Sequence, residues 1–132
     1  MSNRAIRQAI YTKLTGAGVG APVYLDRPPD DVARPFVVVG GAIEVNREVV
    51  LDASRRQAAY EVLAIGDATS DSGALSDIAD AVATALHGNA TTYAPVGYGV
   101  ERAVADGPIE VDPDRETYAR AVTVRLDIYE TA

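Results

Sequence analysis

Two hydrophobic periods divide this chain. Between residues 71 and 88, Leu75, Ile78, Ala79, Val82 and Leu86 fall at i, i+3, i+4, i+7 and i+11, one apolar stripe along a helix. Ser76, Asp77, Asp80, Thr84 and His87 take the opposite side. Asp71 or Ser72 can cap the free N–H groups at the start, and Gly88 suits a left-handed residue just past the end. Directly upstream, across a small polar turn at 66–70, residues 56–65 switch to a period of two. Ala58, Tyr60, Val62 and Ala64 make one face of a strand, with Gln57, Ala59, Glu61, Leu63 and Ile65 on the other. A helix with a single apolar stripe must lay it on a sheet, so the 56–88 unit organises the chain.

A first helix is expected over residues 3–14, with Ile6, Ala9, Ile10 and Leu14 as its stripe and Gly16 and Gly18 ending it. Arg4 and Arg7 sit in its first turn, where the helix dipole disfavours cations, so they are either solvated or meet an acidic neighbour. Residues 22–25 read as a short extended piece. The following Asp26-Arg27-Pro28-Pro29-Asp30-Asp31 reads as an exposed connection or edge segment, because proline removes donors and bars helix. Phe36-Val37-Val38-Val39 is a β-branched run for a central strand, Gly40-Gly41 marks a bulge, and residues 42–45 continue beyond it. Residues 46–54 form the tip of a long hairpin. Its Val49-Val50-Leu51, set between Arg47-Glu48 and Asp52 with Arg55-Arg56 following, either folds back onto the domain or marks an interaction site. Residues 96–105 form a strand loosened by Gly97 and Gly99, and residues 106–117 an acidic, solvated loop. Residues 118–129 close the fold as the clearest strand: Val122, Val124, Leu126 and Ile128 fill one face. The expected fold is a single α+β domain over residues 1–132. It is two-layered, with a mainly antiparallel four-stranded sheet, two helices packed on one face and a long extended hairpin.

Composition narrows the functional classes. At 132 residues the chain can bury a core without staples, and with no cysteine it has neither disulfides nor thiolate chemistry. No apolar run approaches a membrane span, and the first residues lack the apolar core of a secretion signal. A net charge of −7 leaves no basic surplus for gripping phosphate backbones. The single histidine, His87, lies on the polar side of the last helical turn, where a solvated or capping role fits better than catalysis. There is no G-x-S-x-G and no phosphate-binding loop, and Gly16-x-Gly18-x-Gly20 follows a helix where a dinucleotide loop would follow a strand. Asp112-x-Asp114-x-Glu116 spaces oxygens as calcium loops do but lacks their turn glycine and final glutamate. Asp77 and Asp80 share a helix face without a basic or histidine partner nearby in sequence. No catalytic, cofactor or metal site is expected.

The run of motifs has a family likeness. "KLTGAGVGAPVYLDRPPDD", "RPFVVVGGAIE", "RRQAAYEVLAIGDATSDSGALSDIADAVATALHG" and "RETYARAVTVRLDIYE" together resemble the small tail-completion proteins of long-tailed bacteriophages and gene transfer agents, over nearly the full chain. The resemblance implies a tail terminator without enzymatic activity. Such a protein forms a hexameric ring that caps the finished tail tube, stops its polymerisation and meets the head-side connector. The implied partners are further copies of the chain, the tail-tube protein and the connector, with no membrane. DNA passes through the lumen without sequence-specific binding. The implied location is the head–tail junction of a virion assembled in a bacterial cytoplasm. Long loops in the family reach neighbouring subunits, and residues 46–54 match them. A ring contact closing by rotation needs two different, complementary surfaces. Basic Arg4, Arg7, Arg47, Arg55 and Arg56, acidic Asp112, Asp114 and Glu116, and the hairpin residues Glu48, Val49, Val50, Leu51 and Asp52 are the candidate interface. Two alternatives stay open. One is a head–tail connector or tail-tube subunit of the same assembly; the other is a small ligand-binding or hydrolytic domain with a carboxylate-lined pocket.

Overall fold

The computed structural model describes residues 3–25, 35–47, 55–67, 72–88, 93, 97–111 and 117–130. The elements run α1 (Asn3–Ala17), β1 (Val23–Leu25), β2 (Phe36–Arg47), β3 (Arg55–Asp67), α2 (Ser72–Leu86), β4 (Tyr98–Val111) and β5 (Thr117–Glu130). They form one five-stranded sheet in the order β1-β2-β3-β5-β4, with both helices on the same face. β1 pairs parallel to β2, and all the other pairs are antiparallel.

The two helical stripes are the core. Ile6, Ala9, Ile10 and Leu14 of α1 and Leu75, Ile78, Ala79, Val82 and Leu86 of α2 are all buried. They meet Val37 and Val39 of β2, Ala58, Tyr60, Val62 and Ala64 of β3, and Val122, Val124, Leu126 and Ile128 of β5. Side chains of this size contribute about 1.5–3 kcal/mol each when fully buried, which outweighs what helix propensity supplies. Asp77, Asp80, Thr84 and His87 stay exposed, so the polar side of α2 is an outer surface.

The sheet has five strands where the sequence pattern indicates four. Residues 23–25 are a strand, with Val23, Tyr24 and Leu25 in register with Val37, Val38 and Val39. Three residues are too few to show a period, and the prolines on both sides read as connection. Residues 106–111 belong to β4, whereas the acidic pattern reads as loop from residue 106. Pairing with β5 is interrupted between Asp106 and Ile109, around Gly107-Pro108, and resumes to Val111. Asp106 therefore lies in a strand, 3.5 Å from the Arg125 Nε. Both side chains are more than half exposed, so the pair is worth at most about 1 kcal/mol.

The bulge at Gly40-Gly41 is present, as a register shift between Val39 and Ala42. A Cβ on Gly40 would stand 2.9 Å from the Glu61 carbonyl oxygen, a close approach only glycine allows. The bulge also decides what Arg7 does. Its Nε donates to the Gly40 carbonyl at 3.0 Å and its terminal nitrogen to the Val39 carbonyl at 3.2 Å. The guanidinium thus satisfies main-chain acceptors at the break in the ladder. Arg7→Ala is expected to cost about 1.5–3 kcal/mol in urea unfolding, with Arg7→Lys recovering only part, because lysine lacks the planar fork.

Candidate functional site: the uncovered sheet face and the two sheet ends

Strands alternate their side chains, so a sheet covered by helices on one side has a second face to account for. On β3 that face carries Gln57, Ala59, Glu61, Leu63 and Ile65; on β5 it carries Ala119, Ala121, Thr123, Arg125, Asp127 and Tyr129. It divides along the strands. One half is polar, where Gln57, Asp127 and Arg102 stand in one cross-strand row and Ala59, Arg125 and Val104 in the next. These side chains and Ala58 line an open groove of about 250 Å³. The other half is apolar, with Tyr24, Val38, Leu63, Ile65 and Ala119 partly buried and Phe36 and Ala121 buried. Tyr24 and Phe36 pack edge to face at 6.1 Å between ring centroids. Gly99 keeps β4 low enough for the Tyr129 ring to lie across it; any Cβ there would collide with that ring.

The groove holds two arginines, an aspartate and a glutamine, with no hydroxyl, thiol or imidazole side chain in its lining. Asp77 and Asp80 are elsewhere, exposed on the outer side of α2. Among the described residues no three histidine, aspartate or glutamate side chains are grouped to hold a metal.

His87 acts on the main chain. Its Nδ1 accepts the Ala105 N–H at 3.1 Å, and the Gly88 N–H donates to the Ala103 carbonyl at 3.0 Å. Gly88 has the left-handed conformation its position asks for, with φ of 73°. The end of α2 is further tied by the buried Tyr93 hydroxyl, which donates to the Leu86 carbonyl at 2.9 Å, with the Lys13 ammonium 4.9 Å from that ring's centroid. Burial pushes the Tyr93 phenol well above its usual range and lowers Lys13. The capping role read for His87 thus falls on a strand edge, a contact no helical pattern signals.

The candidate interface residues are spread over the fold. Arg47 and Arg56 are register partners at the end of the β2–β3 pair where the chain passes from one strand to the other, with Arg55 next to Arg56 in the chain. Glu48, Val49, Val50, Leu51 and Asp52 join these strands, and Asp112, Asp114 and Glu116 join β4 to β5; all eight lie outside the described residues. The strand ends that flank the two segments, Arg47 and Arg55 for one and Val111 and Thr117 for the other, belong to opposite ends of the sheet. β3 runs from Arg55 at one end to Asp67 at the other, and Asp67 pairs with Thr117, the residue after the acidic segment. Arg4 is exposed one turn before Arg7, toward the arginine end, while Arg7 is turned into its own sheet.

The described residues form a two-layer scaffold with both helices on one face of the sheet and no cluster of metal-binding side chains among them. The chain belongs to the tail completion protein gp17 family, whose model matches residues 4–129. It is accordingly a structural, non-enzymatic protein of phage-type virions, acting in tail completion. No curated protein matches it. Among solved structures it is similar to a chain from the virion of a native gene transfer agent particle, with 18% identity, 94% of each chain covered and a TM-score of 0.76. A second solved chain, which carries no functional name, matches with 15% identity over 100% of this chain and 99% of that one, at a TM-score of 0.60. At these identities the two likenesses show a shared fold.

Proposed function

We propose that this protein is a tail terminator: copies close into a hexameric ring on the end of the finished tail tube, stop its polymerisation and present the opposite side to the head connector. The observation that carries this reading is the separation of two unlike surfaces. Arg47, Arg55 and Arg56 cluster at one end of the sheet, and the strands flanking Asp112, Asp114 and Glu116 end at the other. A ring that meets a tube on one side and a connector on the other needs two such unlike ends, one toward each. Val49, Val50 and Leu51 of the hairpin supply an apolar contact to a neighbouring copy. A ring of chains each carrying −7 also lets DNA pass without adhering.

Tail tubes assembled with and without the protein, viewed by electron microscopy, test this. Tubes are expected to stop lengthening and to carry one ring at one end when the protein is present. Open-ended tubes built from this protein alone would instead make it a tube subunit. A chain that stays monomeric by light scattering even with tail tubes added would remove the ring.

A further inference from the structure

Cross-strand register lines up one apolar row across the whole uncovered face. Tyr24 of β1 faces Val38 of β2, Val38 faces Leu63 of β3, Leu63 faces Ala121 of β5, and Ala121 faces Ile109 of β4. Phe36, Ile65, Ala119 and Val111 occupy the adjoining row. The belt runs from one edge strand to the other and stops at both. At the β4 edge it ends on Ile109, which is 62% exposed, the one large hydrophobic residue left so open among those described. At the β1 edge it ends on the half-buried Tyr24.

The two edges differ in how much backbone they offer. β4 is long, but the end of α2 closes its middle, since the Ala105 N–H and the Ala103 carbonyl are taken by His87 and Gly88. Covering an edge in this way is how sheets avoid unwanted pairing. The guard ends before Ile109. Past it the Ile109–Val111 piece of the β4 edge remains, and β1 on the far side is 3 residues long. Both pieces lie in the same rows of the sheet. These rows also carry no charged side chain on the uncovered face, whereas the rows beyond them carry Glu61, Asp106, Arg125, Asp127 and Arg102. In a chain of net charge −7, an uncharged level is where two copies approach with least repulsion.

We propose that neighbouring copies in the ring meet edge to edge, with the Ile109–Val111 segment of β4 against β1 of the next copy. The Ile109 side chain is covered there and the apolar belt continues from subunit to subunit. This rests on the ring reading above and names its contact. Two three-residue edges bury far less than the roughly 800 Å² per partner of a stable pair. Isolated dimers are therefore weak, and assembly holds only when the ring closes or a tube end serves as template.

The absence of cysteine makes the test clean. A chain carrying both Tyr24→Cys and Ile109→Cys, oxidised on tail tubes, is expected to give a disulfide ladder ending at a closed ring, while either single variant gives none. Ile109→Lys, at an exposed position that the fold tolerates, is expected to reduce assembly by roughly tenfold or more, because each contact would bury a charge. If rings form by light scattering and microscopy, yet the double variant does not cross-link and Ile109→Lys assembles normally, the edge contact is wrong and the ring stands. If no variant and no native chain associates with tubes, both fall.

Discussion

Replacing Val50 and Leu51 by aspartate abolishes ring assembly on tail tubes while the isolated chain still unfolds cooperatively at the native midpoint. The expectation follows from where the hairpin tip attaches. Its flanking strands end at Arg47 and Arg55, and among the described residues the nearest core position of β3 is Ala58, well inside the strand. Two aliphatic side chains transferred into a contact contribute about 1.5–3 kcal/mol each, and two buried carboxylates oppose it further. At about 1.4 kcal/mol per tenfold, assembly falls by more than about a hundredfold. The paired measurements are light scattering with tubes and a urea melt without them. A double variant that melts early has lost part of its own core, and the patch then belongs to the monomer.

The largest effect on stability is expected at Tyr60. It is fully buried in the middle strand, beneath both helical stripes, and is the bulkiest side chain so enclosed. Tyr60→Ala should cost about 3–5 kcal/mol, a large part of the roughly 5–15 kcal/mol that holds an ordinary domain. By calorimetry the melting temperature should fall by roughly 10–20 °C. Burial pushes the Tyr60 phenol up to about 12 from its ordinary 10.0, partly offset by the Arg7 charge. The folded state therefore holds this proton more tightly than the unfolded chain does. The corresponding stability is fully present below pH 10 and is lost as pH rises toward 12. Tyr93, raised by burial in the same sense, extends the loss to higher pH. Tyr60→Phe should flatten the alkaline limb while keeping most of the core packing. An unchanged alkaline limb would mean that the buried phenol does not titrate with unfolding.

The local periods were legible from residue order alone. The stripe of α2, the alternation of β3 and β5 and the Gly40 bulge each depend on neighbours a few positions apart, and each is found where the pattern puts it. The family was legible too, because its motifs lie along the chain in order. That the short extended piece at 22–25 joins the sheet was not. Residues 23–25 hold their conformation through pairing with β2, and nothing within three residues announces a partner more than ten positions away. The strand half of 106–111 was hidden for a related reason: acidic residues are tolerated on an edge strand, so composition there says little about pairing.

The candidate interface residues divide in the same way. Arg7 and Arg4 are alike in sequence, one turn apart on one helix. Only packing sends Arg7 to the carbonyls of the β2 bulge and leaves Arg4 in solvent. Residue order determined the two helices, the strands with a clear period, and that charge of opposite sign gathers in separate segments. Tertiary structure decided which face of each strand is covered, which β4 carbonyls and amides the end of α2 guards, and that five apolar side chains from five strands form one row. Side-chain period is a property of a few adjacent residues, whereas register between strands far apart in the chain is set only when they pack.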